Sequence, residues 1–137
     1  MPWTHRTTEI EGRPAQVLID DRFRGAIPVR ELSRLAWFGV YCKGNPGTAF
    51  WDPAETSSLD AIEDDLIRLC EQHGQGWAAY VLRVATPGIR EYYVYMGDCV
   101  DFTAVVPDLL AQHPDYRIEY EETTDASWGR YKLCLPA

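Results

Sequence analysis

From Leu35 onward the chain reads as strand, helix, strand, strand, helix, strand. No other feature of the chain restricts its fold as much. LAWFGVYC, Leu35 to Cys42, is apolar almost throughout, as expected of a central strand covered on both faces. KGNPGTAFWDPAET follows as a loop, with two glycines, two prolines and an asparagine before Glu55. Its Phe50 and Trp51 are expected to fold back onto the core, the alternative being that they anchor a partner. SSLDAIEDDLIRLCEQHGQG then reads as a helix. Leu59, Ile62, Leu66, Leu69 and Cys70 form one buried stripe, and Gly74 supplies a stop. Ser57 and Asp60 resemble a capping box, with an acidic residue where Glu or Gln is usual. Asp60, Glu63, Asp64 and Asp65 lie near the helix start, where the dipole favours negative charge, so a solvated face accounts for them without chemistry.

Trp77 to Ala85 is the next strand. Thr86-Pro87-Gly88-Ile89 has Pro and Gly in type II turn order, a backbone reversal. REYYVYM continues as a strand with Arg90, Tyr92, Val94 and Met96 on one face and Glu91, Tyr93 and Tyr95 on the other. Asp101 is expected to cap a helix through Phe102, Val105, Leu109 and Leu110. Pro107 requires that helix to start late or kink, and Pro114 ends it. YRIEYEE is a strand with Tyr116, Ile118 and Tyr120 inward and Arg117, Glu119 and Glu121 outward. DASWGRYKLCLP reads as one more strand. At the other end, TTEIEGRPAQVLIDD gives two short strands around Gly12-Arg13-Pro14. The order strand, helix, strand, strand, helix, strand predicts an α+β, ferredoxin-like split βαβ sandwich, with two helices on one face of a mainly antiparallel sheet and extra strands at both ends. At 137 residues this is one domain, 1–137.

The same residues resemble a bacterial family catalogued as domain of unknown function 695. The likeness covers most of the chain. It rests on Trp3, on L-x-x-I-E-D-x-L from Leu59 to Leu66, on T-x-G-x-R-E-Y-Y from Thr86 to Tyr93, and on D-x-x-W-x-x-Y-x-x-x-L-P from Asp125 to Pro136. One departure is the GTAFWDPAE stretch, where the family often has a short Asp-Gly-Leu-Pro-like turn. The resemblance implies an α+β, ferredoxin-like fold and brings no established chemistry.

Charge narrows the function. Residues 1–44 carry seven Lys/Arg against five Asp/Glu, and residues 45–137 carry six against sixteen. Such acidity repels nucleic acid and anionic lipid and attracts basic proteins. MPWTHRTTEIEGR has no apolar core and no apolar run reaches bilayer length, so the expected location is the cytoplasm. Cys42, Cys70, Cys99 and Cys134 stand far apart, as do His5, His73 and His113. No spacing suggests a metal site, and the cysteines read as small reduced core residues. The phosphate-loop, dinucleotide, nucleophile-elbow and zinc-protease motifs are absent, so no cofactor is implied.

Three readings result. The first is a non-enzymatic module whose acidic surface covers a basic site on another protein, as inhibitors of nucleases or of interbacterial toxins do. Its candidate contacts are Asp60, Glu63, Asp64, Glu119, Glu121, Glu122 and Asp125, with Phe50 or Trp51 as apolar anchors. The second is a small enzyme or ligand binder using Arg90 and Tyr92, the guanidinium clamping a carboxylate or phosphate. Alternation sends Arg90 and Glu91 to opposite faces, which argues against their sharing a site. The third is an interaction module in which acidity only confers solubility, with a homodimer formed through a sheet edge.

Overall fold

A computed structural model describes residues 3–47 and 49–136. Its strands are β1 (Trp3–Ile10), β2 (Arg13–Asp20), β3 (Arg34–Tyr41), β4 (Ala78–Thr86), β5 (Ile89–Met96) and β6 (Arg117–Thr124). Its helices are α1 (Thr56–Gly74), α2 (Val105–Gln112) and α3 (Gly129–Cys134). The strands form one sheet of order β1-β2-β4-β5-β3-β6 in which every neighbouring pair is antiparallel. β3 and β4, joined through α1, therefore run parallel with β5 inserted between them. That is the split βαβ arrangement, repeated by β5, α2 and β6.

Local chemistry accounts for the connections. Glu11 (φ +54°) and Gly12 (φ +78°) turn β1 into β2 in left-handed conformation, which matches the twist of a two-residue hairpin. Gly88 takes φ +92° after Pro87, as the third position of a type II turn requires. α1 ends where Gln75 adopts the left-handed conformation (φ 48°), one residue beyond the glycine expected to stop it. α2 starts late, so that Pro107 falls in its first turn.

The sheet is buried on both sides. On one face Phe38, Val40, Tyr92, Val94 and Met96 meet the stripe Leu59, Ile62, Leu66, Leu69 and Cys70 of α1, and Val105 and Leu109 of α2. On the other, Val17, Ile19, Leu35, Leu82, Tyr93 and Tyr95 meet Trp128, Tyr131 and Cys134, with Phe23, Ile27 and Val29 from the segment after β2.

Three expectations are corrected. DASWGRYKLCLP is not a strand: its centre is α3. Trp128, Tyr131 and Cys134, each 0% exposed, recur every third residue and so share one side of a helical turn. The second correction concerns helix starts. Ser57 and Asp60 form no capping box; Asp52 instead caps a short 3-10 turn, Pro53–Glu55, that leads into α1. Asp101 likewise caps only a turn, accepting from Thr103 N at 2.9 Å, while α2 begins further on without a side-chain cap. Finally, the carboxylates at the start of α1 are not all free in solvent, as described next.

Candidate functional site

The acidic residues singled out in the sequence fall into two separate groups. Asp60, Glu63 and Asp64 lie on α1, over the sheet. Glu119, Glu121 and Glu122 lie on β6, an edge strand, with Asp125 just after it. The register with β3 puts Glu119 and Glu121 on one face and Glu122 on the other. Except for Glu121, which is exposed, their charges are also engaged locally. Glu119 accepts from Arg117 (2.8 Å) and from the Tyr41 hydroxyl (2.7 Å). Glu122 pairs with Arg34 at 2.5 Å and accepts from Tyr120. Asp125 accepts from Tyr95 (2.7 Å) and from the backbone N–H groups of Gly129 and Arg130, which starts α3. The β6 residues therefore do not present one free acidic surface.

α1 is different. Asp60, Asp64 and Glu71 are exposed and fall within about 40° of one another around a 3.6-residue helix. Asp65 is on the side toward α2, where it meets His113 Nε2 at 2.8 Å and Arg68 at 3.4 Å. Those two partners hold its carboxyl below the ordinary value, His113 being the larger influence. The helix layer, residues 56–74 and 97–116, contains nine Asp/Glu against one Arg, whereas the remaining residues hold twelve of each sign. The whole formal net charge of −8 thus belongs to one layer.

Beneath α1 lies a buried ionic cluster. Arg90 is 1% exposed and donates through Nη1 to Asp60 (3.2 Å) and Glu63 (3.5 Å). Arg83 donates to the same Glu63 oxygen at 2.7 Å, so one carboxylate bridges two guanidinium groups. Trp51 closes the cluster from outside, its ring centroid 4.0 Å from the Arg90 guanidinium carbon, and its indole N–H donates to Thr56 at 3.0 Å. Trp51 is therefore folded back onto the core and is not a free apolar anchor; Phe50 is half-buried beside it. Burial opposes the Arg90 charge, but Tyr92 beside it, with Asp60 and Glu63, outweighs that and raises its pKa. Neither Arg90 Nε nor the Tyr92 hydroxyl makes a hydrogen bond of ordinary geometry, and the same holds for Arg83 Nε and the Tyr80 hydroxyl. As alternation predicted, Glu91 is on the opposite face, where it accepts from Trp37 (2.7 Å) and Tyr93 (3.3 Å).

Next to this cluster is a groove of about 750 Å³, within the roughly 300–1,000 Å³ range of ligand sites. Trp3, Leu18 and Tyr80 supply its floor, Ile67 and Cys70 of α1 one wall, and Phe23 the other. Glu63 and Glu71 are the carboxylates at the α1 side. Trp3 and Tyr80 lie against each other, ring centroids 5.1 Å apart. Tyr80, Arg83, Leu18 and Trp3 were not singled out in the sequence as site residues. A bulge between Tyr80 and Leu82 is the reason: it places Tyr80 and Arg83 on one face, where regular alternation would put them on opposite faces. The legible signal was an arginine inside an apolar strand.

The Cys42 and Cys70 thiols offer little nucleophilic character. Burial, then nearby Glu55, pushes Cys42 up to about 11, and burial pushes Cys70 up to about 12. Among the described residues, no three His, Cys, Asp or Glu side chains are grouped to hold a metal ion, and no helix is long and apolar enough to cross a membrane. No curated protein matches the chain. The four motifs that suggested a family resemblance occupy structural positions here: Trp3 in the groove, Leu59–Leu66 over the core, Arg90 in the ion cluster, Trp128 under α3. Residues 2–135 match the family of unknown function DUF695, and the chain belongs to that family.

Proposed function

We propose that this protein is a non-enzymatic binding module that docks its acidic helix layer onto a basic surface of another protein. The observation that supports this reading is the location of the net charge: −8 in the layer formed by residues 56–74 and 97–116, and zero in the rest. Seven of the nine carboxylates in that layer, Asp60, Asp64, Glu71, Asp98, Asp101, Asp108 and Asp115, are exposed. A one-sided field of this kind steers a basic partner and orients it before contact. If the partner is a nuclease or a toxin acting on nucleic acid, the carboxylates occupy positions that substrate phosphates otherwise fill. Of the contact set read from the sequence, this proposal keeps Asp60 and Asp64 of α1, leaves out the β6 residues and adds exposed carboxylates of the helix layer. A ligand site centred on Arg90 and Tyr92 has less support, since that guanidinium is enclosed by Trp51, Asp60 and Glu63.

The test is affinity capture from native lysate at low and moderate salt, with three baits. These are the wild type, a helix-layer variant (Asp64→Lys, Glu71→Lys, Asp108→Lys) and a β6 variant (Glu119→Lys, Glu121→Lys, Glu122→Lys). The expected result is one basic protein retained stoichiometrically by the wild type and the β6 variant, weakened by salt and lost from the helix-layer variant. Equal capture by wild type and helix-layer variant would overturn the reading.

A further inference from the structure

β4 extends beyond its neighbour. β2 pairs with it only from Gln16–Ile19 against Leu82–Ala85, so among the described residues no strand adjoins Ala78–Val81 on that side. The groove runs along this stretch, and Ala78, Ala79 and Tyr80 all line it. The direction of the backbone groups follows from the ladder. Gly97 N donates to Trp77 O at 2.9 Å, and Trp77 precedes the register pairs Ala78↔Met96, Ala79↔Tyr95 and Tyr80↔Val94. Hydrogen-bonded and non-hydrogen-bonded pairs alternate in an antiparallel ladder, so Trp77 and Ala79 bond toward β5. Ala78 and Tyr80 then direct their N–H and C=O groups the other way, into the groove. An edge of this kind is a template for another strand.

We infer that the groove accepts an extended, basic segment of the partner, which adds as a strand beside Ala78–Tyr80 with its apolar side chains over Trp3, Leu18 and Ile67. This rests on the proposed docking to a basic protein and names the part of the partner that enters. Charge selects the segment. On the α1 side Glu71 lines the groove and is exposed, with exposed Asp64 beside it in the same stripe and no basic side chain paired with either, while Arg22, the one cation among the described lining residues, is already neutralised by Asp20 at 2.6 Å. Lysine or arginine side chains on the segment therefore meet Glu71 and Asp64 along the rim, whereas Glu63 is already bridged by Arg83 and Arg90. Main-chain bonds supply affinity and the alternating side chains supply selectivity, as in other cases of strand addition.

The probe is a displayed library of random octapeptides selected on the full chain. The most enriched peptide is then titrated into isotopically labelled protein, with the amide signals followed by NMR. The inference expects alternating apolar and Lys/Arg residues, with saturable shifts and slowed hydrogen exchange centred on Ala78 and Tyr80. N-methylating the peptide on alternate residues should weaken binding at least tenfold in one phase and less than threefold in the other, because only one set of amides faces β4. Absence of enrichment, shifts that map elsewhere, or equal losses in both phases would overturn strand addition. Slowed exchange at Ala78 and Tyr80 in protein alone, rising with its concentration, would assign the edge to a second copy of the chain instead. Replacing the peptide's basic residues with Glu tests the charge reading separately. If that change has no effect while the N-methyl contrast persists, strand addition stands and acidic docking fails.

Discussion

The two faces of the sheet are covered by different means. α1 and α2 cover one, with regular apolar stripes beneath and nine of the chain's acidic residues in their layer. The other is covered by a six-residue helix, α3, and by the irregular segment after β2, and it is held by aromatic stacking. Trp128 lies flat on Tyr95, with centroids 3.9 Å apart and planes 7° apart; it meets Tyr131 edge-on and Phe23 at 5.5 Å. Long amphipathic helices leave a whole side facing solvent, and that side is free to carry charge for a partner. The solvent side of α3 is much shorter and carries no carboxylate: its exposed residues are Gly129, Lys132 and Leu133. The difference teaches that the helix-covered face keeps its charge on the solvent side, where the proposed docking would need it, while the other face is held by its aromatic stack.

Trp128→Ala gives the largest test of that division. Trp128 is fully buried and its indole donates to Leu32 O at 2.9 Å, tying the segment after β2 to the start of α3. Truncation removes the stack and this bond together and should cost about 3–5 kcal/mol in urea unfolding. Hydrogen exchange in α3 should accelerate before that in α1. A loss below about 1 kcal/mol would mean the second face does not depend on its aromatic stack.

Arg90→Ala is next in size and probes the helix-covered face. It leaves half-buried Glu63 with only Arg83 and should destabilise by about 3 kcal/mol. Asp60 is more than half exposed and can return to water, which keeps the loss toward the lower end of what breaking a buried pair costs. Combining the change with Glu63→Gln should recover about 1 kcal/mol or more through their coupling. Strict additivity would show that Arg90 contributes through packing against Trp51 and not through charge.

What could be read from the sequence depended on periodicity. The succession of strand-like and helix-like segments specified the elements from β3 to β6 closely, because the helices bury one regular stripe and the central strands are apolar toward both cores. The end of the chain misled, since Leu133 and Leu135 flank Cys134 in a pattern that also suits a strand. The spacing of three between Trp128, Tyr131 and Cys134 carried the true signal. The site was less legible for two reasons. The bulge after Tyr80 breaks the alternation that assigns faces, and the pairing of Glu63 with both Arg83 and Arg90 joins residues twenty and more positions apart. Charge could be counted along the chain, but only the fold showed that it gathers in the helix layer.

The smallest effect concerns Glu55, which separates buried charge from surface charge on the helix-covered side. Its carboxylate accepts from Lys43 N, Gly44 N and the Tyr116 hydroxyl, each at 2.8 Å, and so ties the loop after β3 to the approach of β6. Burial by itself would raise its pKa. The N–H groups of Gly44 and Lys43, then Tyr116, overcome this and hold it below the ordinary carboxylate value. The same arrangement, with burial as the larger cause, pushes the Tyr116 hydroxyl up to about 12. A folded pKa below the unfolded one means the stabilisation is complete above the unfolded value, about 4.3, and is lost as pH falls through the folded one. Glu55→Gln keeps one acceptor oxygen but turns an amide N–H toward a backbone donor. It should therefore cost about 1–2 kcal/mol at pH 7, with the gap to wild type closing below about pH 4. Urea midpoints at pH 7, 5 and 3.5 measure that gap. A gap that stays constant or widens in acid would show that the loop is held by shape and not by the charge on Glu55.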